Sequence, residues 1–325
     1  MELITKMLGG DAVALSQLIT KIENDLIDIS KVMNEIHGYP GHSYRIGITG
    51  PPGAGKSTLV DKLTTTIRGK GFSIGIIMVD PSSPFSGGAF LGDCVRLQMH
   101  YLDQSVFIRS MASRGKIGGL SKKVWPVVKL LDSYGKDFIL VETVGVGQAE
   151  TNMPMIADTT ILVLVPHAGD IIQAMKAGII EIGDIIVVNK SDLGGADHLI
   201  SDLNSILKQR RRQDLWTPPI IQAQTLNNVG VENIYDTVGL HRQFLDREGL
   251  FLKRRLKKEA EVFVELMSEE LSAQLVKFFK HSERFKIYFS KLESREIDPY
   301  TACREILSNP ETWQMLQAHF LEMLK

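Results

Sequence analysis

Gly50-Pro51-Pro52-Gly53-Ala54-Gly55-Lys56-Ser57 is a complete G-x-x-x-x-G-K-S arrangement, followed by Thr58 and set between a short apolar run and a helical pattern. Glycines let successive backbone N–H groups turn inward around phosphate oxygens, and the helix N-terminus behind them adds positive potential. In that setting Lys56 is expected to reach the β- and γ-phosphates of a nucleoside triphosphate, and the Ser57 hydroxyl to ligate magnesium. Eight matched positions in the right local context make a ligand-free glycine turn the weaker reading.

Three further stretches could complete such a site. "IIVVNKSD" places Asn189, Lys190 and Asp192 directly after an apolar run. A carboxylate at Asp192 can accept from N1–H and the 2-amino group of guanine, whereas adenine has neither donor there. Asn189 would brace the loop and the Lys190 stem would cover the base. "QAQTLNNVGVENI" then offers Ala223 as a weak candidate for a backbone contact to that base. "FILVETVGVGQAE" ends an apolar run on Glu142, an acid suited to magnesium directly or through water, with Gly145 free to offer its N–H to the γ-phosphate. Gln148 either orients water or faces solvent. "VDPSSPFSGGAFLGD" carries Asp80 and Asp93 from one loop, and beside Lys56, Ser57 and Glu142 these read as part of a magnesium shell rather than as turn residues. Phe85 and Phe90 in the same loop are packing residues or a partner contact.

Residues of these types must be positioned by a sheet. The runs "RIGIT", "SIGIIMVD", "SVFIR", "DFILVET", "TTILVLV", "DIIVVNK" and "PIIQAQ" are short, rich in Ile and Val, and separated by helix-length segments. That pattern predicts an α/β fold, a mostly parallel sheet covered by helices on both faces, with functional loops at the carboxyl ends of the strands. Residues 1–36 read as helix from Leu15, Leu18, Ile19, Ile22 and Leu26, with Asp11 as N-cap; beyond about residue 240 the pattern is again helical. Three segments are expected: an N-terminal helical extension (1–40), a phosphate-loop domain (41–240) and a C-terminal helical arm (241–325).

Composition sets the class. A formal net charge of −1 across 325 residues argues against a nucleic-acid partner, and no run of about twenty apolar residues suggests a membrane span. With only Cys94 and Cys303 there is no disulfide framework, as suits the cytoplasm.

The loop "VDPSS…GG…LGD…R" resembles the signature of the methylmalonyl-CoA mutase-associated GTPases, the ArgK/MeaB type, in the metallochaperone branch of phosphate-loop GTPases. "FIRSMASRGKIGGLS", "ETVGVGQAE", "GDIIQAMKAGIIEIGD" and "NKSD" are similar to that family in order and spacing over roughly residues 40–255. The resemblance implies a homodimeric GTPase that uses GTP, GDP and Mg2+ and docks on an adenosylcobalamin-dependent acyl-CoA mutase, gating cofactor loading and protecting that enzyme. It also implies a switch segment containing Asp170, Gln173 and Lys176, with Lys176 neutralising charge during phosphoryl transfer. Where the family has a Lys-Thr pair, this chain has Cys94-Val95 between Asp93 and Arg96. Competing expectations are an ATP-using transport kinase, opposed by the guanine motif, a nickel metallochaperone, opposed by eight singly scattered histidines, and a binding module without turnover.

Overall fold

Each of the seven apolar runs forms a strand, because each is short, β-branched and bounded by turn residues. They are β1 (Tyr44–Thr49), β2 (Ile74–Asp80), β3 (Val106–Ala112), β4 (Phe138–Thr143), β5 (Thr159–Leu164), β6 (Ile185–Val188) and β7 (Ile220–Gln222). The computed structural model describes residues 2–39, 41–80, 94–112, 123–143, 152–166, 178–209 and 216–323. The strands join in one parallel sheet in the order β3-β2-β4-β1-β5-β6-β7. From β1 the chain continues toward β2 on one side, and from β5 toward β6 on the other. Such a reversal opens a crevice at the carboxyl ends of the strands.

Helices cover both faces, as the near-continuous apolar strands require. On one face Ile46, Ile48, Ile76 and Leu140 pack with Leu59, Leu63 and Ile67 of a helix spanning Lys56–Gly69, and with Ile234 and Val238 of a later helix spanning Val231–Arg247. On the other, Ile77, Val79, Ile139 and Val141 meet the N-terminal helices and the helix Val124–Ser133.

The N-terminal segment departs from the single helical stretch expected of residues 1–36. It forms α1 (Glu2–Leu8), α2 (Ala12–Glu23) and α3 (Ile29–Ile36). Asp11 does cap α2, its Oδ1 accepting from the N–H groups of Val13 and Ala14 at 2.8 and 3.1 Å. A second break falls at Asp25, whose φ of 54° ends α2, and Asp28 then caps α3. Leu26, although in helical register with Ile22, consequently lies in the turn and is 68% exposed.

Residues Met1–Arg255 form one compact unit and Leu256–Lys325 a second. A helix spanning Leu250–His281 runs out of the first; the second adds helices at Glu283–Glu293, Pro299–Ser308 and Pro310–Met323. Asp298 caps the helix Pro299–Ser308, accepting from the N–H groups of Tyr300 and Thr301. Among the described residues no helix is long and apolar enough to cross a membrane.

A buried ion pair fixes the start of β1. The Arg45 guanidinium lies 2.8 Å from the Asp132 carboxylate, which also accepts from the Ser43 N–H at 2.9 Å. Burial alone would raise the Asp132 pKa, but Arg45 and Ser43 outweigh it and hold the carboxyl below the usual range. A depressed carboxyl stabilises the fold above its unfolded pKa of about 3.9, and that stability is lost as pH falls through the folded value. Asp132→Asn is therefore expected to cost about 3 kcal/mol at pH 7, because it leaves Arg45 buried and uncompensated. Urea unfolding should show this gap narrowing as the solution is taken below pH 4.

Candidate functional site

The phosphate loop leaves β1 under tight steric control. Gly50 adopts φ +140°, and a Cβ there would stand 2.0 Å from the Val163 carbonyl oxygen on β5. Gly55, at φ +91°, closes the loop against Asn189, whose Nδ2 would meet an added Cβ at 2.3 Å. The helix Lys56–Gly69 begins directly behind it with no side-chain cap, so its first N–H groups face the loop as a ready anion site.

Lys56 is buried at the loop's base, its Nζ donating to the carbonyl oxygens of Gly50 and Pro51 at 2.8 and 3.0 Å. Ser57 Oγ donates to Glu142 Oε1 at 2.7 Å, and both residues are only 7% exposed. Glu142 stands there because β4 pairs with β1 in a register that sets it opposite Ile48. A hydroxyl and a carboxylate brought together beside a phosphate loop are hard oxygen donors of the kind magnesium takes, so the residues fit that ion. Asp80 closes β2, but its side chain lies outside the described residues. Asp93, Gly145, Gln148, Asp170, Gln173 and Lys176 also lie outside them, as do Phe85 and Phe90.

The opposite end of the crevice is a cavity of about 300 Å³ lined by Gly55, Thr58, Asn189, Lys190, Asp192, Leu193 and residues 224–227. Asn189, 1% exposed, ties its walls together. Its Nδ2 donates to the Ala54 carbonyl at 2.8 Å, and its Oδ1 accepts from the Thr225 N–H at 3.1 Å. Lys190 takes a left-handed conformation, φ 55°, unusual for a side chain of its size, and so turns the chain into the short 3-10 turn Ser191–Leu193 that presents Asp192 to the cavity.

Ala223 does not fill the place expected of it. It is fully buried and absent from the cavity lining, its N–H donating to the Val188 carbonyl at 2.9 Å and its carbonyl accepting from Ser191 at 3.2 Å. The cavity wall is made instead by Gln224, Thr225, Leu226 and Asn227, one step further along. The turn is closed by a bridge between Gln224 and Val229, and Gly230 follows it at φ +81° with no room for a Cβ beside the Gln222 carbonyl.

A family model described as methylmalonyl-CoA mutase-associated GTPase MeaB matches residues 15–279. The chain belongs to the MeaB family. MeaB proteins are GTPases, and this one is accordingly a phosphate-loop hydrolase that binds nucleotide. A provisionally named GTPase of Pyrococcus abyssi is 43% identical over 309 residues, 94% of this chain and 95% of that protein. The methylmalonic aciduria type A homolog of Mus musculus, a mitochondrial protein, is 36% identical over 200 residues, covering 60% of this chain and 48% of its own. A solved structure of a LAO/AO transport system kinase superposes with a TM-score of 0.68 at 25% identity, with 97% of each chain covered. The MeaB assignment and the parallel sheet with its helical C-terminal extension thus agree with the fold expected from the sequence.

Proposed function

We propose that this GTPase uses magnesium-dependent GTP binding and hydrolysis to gate cofactor loading of an adenosylcobalamin-dependent acyl-CoA mutase and to protect it, methylmalonyl-CoA mutase being the first candidate. The observation that carries the nucleotide reading is Asn189, which joins the phosphate loop to the cavity holding Asp192. Residues 50–58 cradle the phosphates, with Lys56 on the β- and γ-phosphates and the Gly145 N–H on the γ-phosphate. Ser57 and Glu142, joined by Asp80 and Asp93, would hold magnesium, which would supply neutralisation of phosphate charge. Lys176 adds positive charge where the leaving oxygen develops negative charge.

The partner reading is supported by the family's description and by the name of the mouse relative. The homodimer reading is supported within the C-terminal unit by the helix ending at His281, which exposes Phe263, Val264, Leu266 and Met267. The reading also places the protein in the cytoplasm. A transport-kinase reading, raised by the name of the superposed structure, is opposed by Asp192 in the base cavity.

The deciding experiment is recovery of the untagged mutase from cytosol on the immobilised GTPase, with GDP and with a non-hydrolysable GTP analogue. Capture of a cobalamin enzyme that differs between the two nucleotides is expected; capture of none in either state refutes the partner assignment. For the metal shell, Asp93→Ala should weaken magnesium-dependent GTP hydrolysis more than GDP binding, and equal effects on both would return Asp93 to an ordinary turn residue.

A further inference from the structure

Two consecutive residues of β4 grip the phosphate loop at its two ends. Ser57, just after the loop, donates to Glu142 at 2.7 Å. Thr49, just before it, accepts a hydrogen bond from the Thr143 hydroxyl at 3.1 Å. Side chains alternate along a strand, so neighbouring residues of β4 reach the loop's two flanks from opposite faces of the sheet. The parallel register that pairs Ile48 with Glu142 brings Thr49 level with Thr143. Both threonines are fully buried, so this hydroxyl pair is sheltered from competing water.

We propose that Thr143 and Thr49 are positioning residues for GTP hydrolysis, their hydrogen bond fixing the root of the phosphate loop against the strand that delivers Glu142. The inference rests on the reading of Lys56, Ser57 and Glu142 as the phosphate and magnesium site. Without the bond, the backbone pairing remains, with Thr49 opposite Leu162 of β5 and Thr143 opposite Val79 of β2, but the ends of β1 and β4 lose the side-chain bond that ties them directly to each other. Phosphoryl transfer depends on positioning charged groups to within fractions of an ångström, so a small drift of Glu142 relative to Lys56 reduces turnover while leaving diphosphate binding largely intact.

Valine has the shape of threonine without the hydroxyl, which separates packing from hydrogen bonding. Thr143→Val and Thr49→Val each strand one buried hydroxyl and should lower the unfolding midpoint in urea; the double variant strands neither and should recover it. If the hydrogen bond positions the site, kcat for GTP falls about ten-fold in both single variants and stays there in the double variant. KM and the affinity for GDP should change less than two-fold, and Thr143→Ser should restore kcat. Recovery of kcat together with stability in the double variant would overturn the proposal, as would equal losses in kcat and GDP affinity. Ser57→Ala provides the separate check: unchanged magnesium-dependent turnover in that variant refutes the underlying site reading whatever the threonine variants do.

Discussion

Asp192→Asn is expected to lower affinity for GTP and GDP by at least about 100-fold while raising affinity for the corresponding xanthine nucleotides. Asp192 lines the cavity from a tight turn whose direction is set by the left-handed Lys190. A carboxylate there accepts from both N1–H and the 2-amino group of guanine, and each hydrogen bond to a charged group contributes about 1.5–3 kcal/mol. An asparagine keeps the size and the turn but replaces one acceptor with an N–H donor, which now faces the guanine amino group. Xanthine carries a carbonyl oxygen at that position and accepts from it. The comparison needs only competition binding with guanosine, xanthosine and adenosine diphosphates. Unaltered guanine preference in the variant would remove Asp192 from the base site, and preferential adenine binding by the unaltered chain would remove the guanine reading altogether.

The second large effect is expected at Lys56. Lys56→Met should reduce kcat for GTP by about 100- to 1000-fold, the usual consequence of deleting one preorganised donor to developing charge. The Nζ atom donates to the Gly50 and Pro51 carbonyl oxygens, so the ammonium is held at the base of the loop that would receive the phosphates. Methionine fills the same channel without charge, and the buried stem should preserve the fold. Triphosphate affinity should fall more than diphosphate affinity, because the γ-phosphate loses a contact that GDP never makes. Single-turnover hydrolysis and fluorescent-nucleotide titration test the two halves, and unchanged single-turnover rates would exclude Lys56 from the reaction.

Both expectations could be written from contiguous sequence. The loop from Gly50 to Ser57, the run Asn189 to Asp192 and the seven strand runs are local patterns, and β1 through β7 fall where those runs lie. Where reading failed, a backbone conformation overrode a side-chain pattern. The left-handed Asp25 and the cap at Asp28 divided helices that the apolar spacing joined through Leu26. The strand pairing that engages the Ala223 N–H moved the cavity wall to residues 224–227.

The sequence by itself determined the chemistry, a phosphate loop and a guanine-reading motif on a parallel sheet, because in each the interacting backbone and side-chain groups are neighbours in the chain. Only the tertiary structure decided how these parts are held together. Asn189 reaches Ala54 across 135 residues, Thr143 reaches Thr49 across 94, and Glu142 reaches Ser57 across 85. Such contacts follow from strand order and register, which bring β4 beside β1 although β2 and β3 intervene in the chain, and neither is encoded in any one motif.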